Sequence, residues 1–214
     1  MTMQKKILLG IIILLLAVGV GYYIYRDLQN VQDRVLHKEE NPASTSSLSP
    51  SPSLEEIEKQ MPDLDREIVV KADLPANIKS ETIMDIQDII QKLKEDYDNM
   101  QLWLQLGLLR KLLGDYDGAI EAWQFVNLIR PNNFVSFGNL GDIYSLYLND
   151  KKKAEENYLK ALENGPDQIY LYEKVYEFYR YTIKDNAKAK EILKKGIDLN
   201  PNNSQYLQNL LNNF

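Results

Sequence analysis

Hydrophobic and polar positions fall into three regimes along this chain. From Ile7 to Tyr25 the run ILLGIIILLLAVGVGYYIY holds 19 residues without a charge. At ~1.5 Å per residue this is roughly 28 Å of helix, the depth of a bilayer core. Tyr22, Tyr23 and Tyr25 close it beside Arg26, where amphipathic rings and a guanidinium suit the headgroup region. The pattern predicts an N-terminal transmembrane helix over 7–25 behind a tail of residues 1–6. A cleaved signal peptide competes with this reading, since Lys5-Lys6 opens either and Ala17-Val18-Gly19 offers a small-x-small site. The apolar run continues past that site and exceeds the usual ~7–15-residue signal core, which argues for retention.

The second regime is polar. Leu28, Val31 and Val35 recur at helical spacing among polar residues and predict a juxtamembrane helix over 26–40, too short to sustain a coiled coil. Residues 41–53, NPASTSSLSPSPS, carry three prolines among serines and a threonine. Such a segment buries too little apolar area to fold and reads as a disordered linker. Residues 54–79 read as an irregular segment with one short helix over Leu54–Met61, the stretch Asp63–Pro75 being irregular or extended.

The third regime, residues 80–214, has the 3.6-residue period of amphipathic helices, and it repeats. Pro131, Pro166 and Pro201 are 35 residues apart, as are Ala119, Ala154 and Ala189, then Trp123, Tyr158 and Leu193, then Val126, Ala161 and Gly196. In the preceding helix Trp103, Phe137 and Tyr172 align, with Leu106, Leu140 and Val175 three residues on and Gly107 and Gly141 next to them. The step from Trp103 to Phe137 is 34, so the second and third units carry one extra residue, expected in the turns around Asn149-Asp150 and Lys184-Asp185. Small residues at Gly107 and Ala119 suit a close helix crossing, and the large rings fill the space between hairpins. Proline closes each second helix, and Asn132-Asn133, Asp167 and Asn202-Asn203 offer caps to the helix that follows. The third unit has Tyr176 where glycine is expected, and Gly196 is the candidate that makes room for it.

An aromatic, Leu-Gly, a late Ala, a second aromatic, a small residue and a closing Pro together resemble the tetratricopeptide repeat family over about residues 100–202. The fold class expected is all-α: an α-solenoid of three helical hairpins, units about 100–133, 134–168 and 169–203, with flanking capping helices. Ile83, Ile86, Ile89, Ile90 and Leu93 form the first cap, and Tyr206, Leu207, Leu210 and Leu211 the last, over 204–214, since an uncapped repeat would expose its stacking face.

Composition narrows the chemistry. There is no cysteine, so disulfides and thiolate sites are excluded. With Lys5, Lys6 and Arg26 set aside, residues 27–214 hold 22 basic against 31 acidic side chains, a net −9 that disfavours a nucleic-acid partner. The run Lys151-Lys152-Lys153 reads as a solvated turn and helix start. His37, the only histidine, sits in the spacer without a ligand set around it. Gly10, Gly19 and Gly21 belong to membrane packing, not to a phosphate loop. The turn Gly114-Asp115-Tyr116-Asp117-Gly118 lacks the spacing of a calcium loop, and the Asn202-Asn203-Ser204 sequon is explained by capping. No enzyme, cofactor or metal site is expected.

The resemblance implies a concave groove lined by the first helices. It maps to Gln101, Leu104, Gln105, Leu108, Lys111 and Leu112, then Val135, Gly138, Asn139, Asp142, Ser145 and Leu146, then Tyr170, Glu173, Lys174, Glu177, Arg180 and Tyr181. In family members that clamp a peptide's terminal carboxylate, basic and amide groove residues do the work. Here only Asn139 fits that pattern, so a chaperone-tail clamp is not expected. The function expected is a membrane-anchored scaffold that binds a protein or peptide segment in a cell-envelope assembly, export or maturation process. The alternative is a self-associating anchored oligomer without a separate client. Positive charges nearly balance across the apolar run, and resemblance to bacterial signal anchors implies an extracytoplasmic solenoid.

Overall fold

A computed structural model describes residues 53–214. The expected membrane helix, the juxtamembrane helix and all of the linker except Ser53 lie outside the described residues. Among those described, every regular element is helical and none is long and apolar enough to cross a membrane. Helix α1 spans Leu54–Gln60 and α2 Ala76–Glu95. Three hairpins follow: α3 (Met100–Leu112) with α4 (Tyr116–Ile129), α5 (Phe134–Asp142) with α6 (Lys151–Asn164), and α7 (Ile169–Glu177) with α8 (Asn186–Leu199). Helix α9 (Gln205–Asn212) closes the stack. Helices α2 to α9 each pack on their neighbours in sequence, and α1 packs on α4, so one core runs from Leu64 to Leu207, which is the layout of an α-solenoid.

Glycine meeting an aromatic ring sets the spacing of the first two hairpins. A Cβ on Gly107 would lie 2.5 Å from Cε2 of Trp123, and one on Gly141 2.6 Å from Cε1 of Tyr158. The Trp123 indole N–H donates to the Leu104 carbonyl at 3.2 Å, which pins that ring across α3. In the third hairpin the sizes are exchanged: Tyr176 stands on α7 and Leu193 on α8, both buried. The expected pairing of Tyr176 with Gly196 is therefore incorrect. Gly196 makes room for Tyr172 and for Leu207 of α9, whose Cγ and Cδ1 would lie 2.7 and 2.6 Å from an added Cβ. The Tyr176 ring lies instead by those of Tyr181 and Phe214, at centroid distances of 6.3 and 6.1 Å.

The extra residue of the second and third units is not in the surface turn. It is absorbed in the last turn of the first helix, which widens to π geometry over Ile143–Tyr147 and Phe178–Ile183. The Leu148 N–H accordingly bonds five residues back to Ile143 at 3.0 Å. Beyond it the three turns converge again. Gly114, Asn149 and Lys184 have φ of 78°, 51° and 65°, and Asp115, Asp150 and Asp185 cap the second helices through N–H groups of Gly118, Lys153 and Lys188. A widened turn admits one residue without moving this cap.

The first helices are capped less evenly. Asn133 caps α5, and Asn99 caps α3. Asp167, Asn202 and Asn203 do not cap, because α7 starts from Gln168 and α9 from Ser204, neither with a side-chain cap. The capping site lies two residues after Pro166, where glutamine stands, so Asp167 is one residue early. Instead the aromatic column ties the entry loops. Trp103 Nε1 donates to Tyr97 O at 2.7 Å and Tyr172 OH to Pro166 O at 2.9 Å. Phe137 has no donor, and Asn164 reaches Pro131 O instead, at 3.3 Å.

Residues 54–79 do not form a segment apart from the helical array. Pro52–Phe214 is one compact unit, and α2 starts within that stretch, at Ala76. Leu64 is buried, and the Lys71 and Ala72 N–H groups both donate to Leu113 O, at 2.8 and 2.9 Å, over the turn at Gly114. Arg66 reaches Asp115 at 3.3 Å and Glu121 at 2.7 Å, while buried Arg110 holds the other Asp115 oxygen at 2.7 Å. This strap is fastened by these ion pairs, by the two backbone hydrogen bonds and by Leu64, Ile68, Val70 and Leu74 against the core, whose uneven spacing gives no helical period.

Two outcomes test these packing arguments by urea denaturation. Gly141→Ala should cost about 1–3 kcal/mol through overpacking against Tyr158. Lys184→Gly should stabilise by about 1 kcal/mol by relieving a left-handed non-glycine residue; no gain would mean that the Lys184 side chain offsets its backbone cost.

Candidate partner-binding groove

The first helices α3, α5 and α7 lie side by side, and cross-unit contacts mark the face they share. Leu171 of α7 packs on Gly138 of α5, 3.4 Å from where a Cβ would stand. Lys174 Nζ lies 2.6 Å from Asp142 Oδ2, and the Tyr206 hydroxyl of α9 bonds Glu173.

On α3, Gln105, Leu108 and Leu112 are exposed, Gln101 and Lys111 are half-buried, and Leu104 is in the core. On α5 and its π turn, Val135 and Asn139 are half-buried, whereas Gly138, Asp142 and Ser145 are buried and Leu146 is exposed. On α7 and its π turn, Tyr170, Glu173, Lys174 and Arg180 are half-buried, and Glu177 and Tyr181 exposed. The residues reaching solvent therefore concentrate towards the C-terminal turns of the three helices.

The charges along this face are partly spent within it. Asp142 receives Lys174 on one oxygen and the Tyr158 hydroxyl on the other, at 2.9 Å. Burial, and then the Asp142 carboxylate, push the Tyr158 phenol far above its ordinary value, so it stays a donor. Glu173 is held by Tyr206, whose phenol that bond raises to about 12. Glu177 is raised, first by burial and then by Glu173.

On this face Lys111 and Arg180 form no ion pair with a carboxylate among the described residues. Lys111 sits 6.0 Å over the Trp123 ring, and burial lowers its pKa; Asp142 works against that shift and Lys174 with it. Arg180 stacks 4.1 Å over Phe214 and 5.6 Å from Tyr181, with Nη1 buried and unbonded. Among the described residues no group of three His, Asp or Glu side chains could hold a metal ion.

Stacked antiparallel hairpins define the chain as an α-solenoid. Within it residues 135–168 and 178–203, most of the second and third hairpins, match the tetratricopeptide repeat, which supports a tetratricopeptide repeat protein and an interaction module. None of the curated proteins searched matches the chain.

Replacing Lys174 by Met should leave buried Asp142 with Tyr158 alone and cost about 1–3 kcal/mol; Lys174→Arg should recover most of it. On the outer surface, Lys188 and Tyr179 hold the Glu155 carboxyl below its ordinary value. A carboxyl depressed in the folded state contributes stability present above its unfolded pKa and lost as pH falls through the folded one. Glu155→Gln should accordingly flatten the stability–pH curve below about pH 4.5, and at neutral pH cost under ~1 kcal/mol because the pair is solvent-screened. An unchanged acid limb would assign the shift elsewhere.

Proposed function

We propose that this protein is a membrane-anchored scaffold that binds a segment of a partner protein along α3, α5 and α7. The observation that carries the proposal is the pairing of exposed Leu108 and Leu112 with half-buried Lys111, a cation kept near apolar surface with no carboxylate of its own. A desolvated, unpaired ammonium costs stability, which a ligand carboxylate would return. The uncharged Ile7–Tyr25 run supplies the anchor. Its likeness to bacterial signal anchors supports an extracytoplasmic solenoid working in envelope assembly, export or maturation.

Self-association through stacking ends is the weaker alternative, because α9 presents exposed Gln205, Asn209 and Asn212 outwards. That polar edge is a cap rather than a docking face.

A photoreactive side chain in place of Leu108, in the full chain in its native cells, should give a defined adduct that Lys111→Glu reduces about tenfold. A charge reversal of 1.4 kcal/mol already has that effect. The same probe at Gln124, exposed on α4, should give none. No adduct at Leu108, or equal adducts at the two sites, would end the groove reading; extraction of the chain from membranes by alkaline carbonate would end the anchor reading separately.

A further inference from the structure

Four of the exposed large apolar side chains, Leu146, Tyr147, Leu148 and Tyr181, crowd the π turns that end the first helices α5 and α7 and the residue after the first of them. Leu146 is 68 % exposed and Tyr181 63 %. Elsewhere such residues are isolated on separate helices, as at Met84, Leu159 and Leu199. In stacked hairpins these turns share one edge of the solenoid. The Tyr116 and Tyr147 rings, 4.7 Å apart, join the first two units along it.

The same edge gathers positive charge in an acidic chain. Lys151, Lys152 and Lys184 are exposed and form no ion pair. Lys153 lies 5.1 Å over the Tyr144 ring and 3.7 Å from Asp150. Arg180 stands one residue before Tyr181. Against them, Asp115, Asp150 and Asp185 are engaged as helix caps and Glu155 by Lys188, while Asp117, Glu156 and Glu177 stand as exposed acids.

We propose that this turn edge is a membrane-contact surface, resting on an anionic bilayer with Leu146, Leu148 and the tyrosines at the headgroup–acyl boundary and the lysines among the headgroups. The reading rests on the anchor proposed above, which makes a weak contact effective by confining the domain near lipid. Charge complementarity fits an acidic polypeptide equally well, but the arrangement favours the bilayer. Leu146, Tyr147, Leu148 and Tyr181 stand about two-fifths to two-thirds exposed on successive turns, a dispersed row that matches a continuous lipid surface better than one anchored segment. The cavities found by Arg66 and Trp103, and by Gln60 and Phe125, lie elsewhere. Tyrosine and leucine beside lysine is the composition that suits a lipid interface.

The chain has no cysteine, so Leu146→Cys, Tyr181→Cys and Glu163→Cys each carry one environment-sensitive fluorophore. Glu163 lies twelve residues along α6 from Lys151, ~18 Å away at ~1.5 Å per residue. In full-length chain reconstituted into phosphatidylcholine vesicles containing phosphatidylglycerol, the probes at 146 and 181 should shift to the blue and be quenched by nitroxide-labelled lipid. The probe at 163 should not respond. Omitting phosphatidylglycerol, or reversing Lys151, Lys152 and Lys153 to Glu, should remove most of the quenching, since each lysine lost weakens contact about fivefold. Equal responses at 146 and 163, or none at 146, overturn the proposal. So does a shift at 146 that lipid cannot quench but soluble polyglutamate produces, which would make the edge a protein surface. If the chain fails to stay with vesicles at alkaline pH, the anchor reading fails alone, and the same probes with chain added to preformed vesicles still decide the edge.

Discussion

The close approach of two helices across a glycine is the constraint on which the architecture depends. Where Gly107 faces Trp123 and Gly141 faces Tyr158, the ring lies on bare backbone, so the large side chain of one helix is accommodated by the missing side chain of the other. Dispersion contacts of this kind are individually small and fail together when a methyl group intrudes. They fix the hairpin, and the hairpin fixes which residues face the core, the neighbouring unit or solvent.

The third unit breaks this rule locally. Tyr176 replaces glycine and lies by Tyr181 and Phe214, and the space freed at Gly196 goes to Tyr172 and Leu207. Helix α9 is thereby received in the position of a further first helix: Leu207 stands 35 residues after Tyr172, in the same column. The charges obey a similar economy. Asp142 is buried within the array and joins the second and third units through Lys174 and Tyr158, so a residue in the groove pattern acts mainly as an internal tie.

The helical array was legible in the sequence because its signal is periodic: columns of Ala and of Pro, and that of Trp123, Tyr158 and Leu193, at a spacing of 35 leave few alternatives. What was not legible depends on single residues or on contacts distant in sequence. A π turn has no composition of its own, so the inserted residue could be counted but not located. The strap over the first hairpin is held by Arg66, two backbone N–H groups and unevenly spaced apolar residues, features without helical period. A cap shifts its effect when its residue moves by one position, as Asp167 shows. Among the candidate groove residues the sequence does not tell which charge is engaged: Lys111 forms no ion pair while Asp142 is consumed by Lys174 and Tyr158, and only the distances separate the two.

Several locally unfavourable choices converge on the ends of the first helices. Lys184 occupies the left-handed position that glycine fills at 114 and asparagine at 149. Lys111 and Arg180 are partly desolvated without carboxylates, and Leu146 and Tyr181 stand largely in water. Taken singly, each departs from what stability alone would select, and sequences tolerate such departures chiefly where a surface has another use. The core columns make no comparable concession. The π turns connect the two facts: by taking up a residue without disturbing the aspartate cap, they let Leu146, Tyr147 and Tyr181 project while the helices behind keep their register. The stack can therefore stay rigid while its turn edge varies in shape and charge, which is the division of labour an interaction module requires.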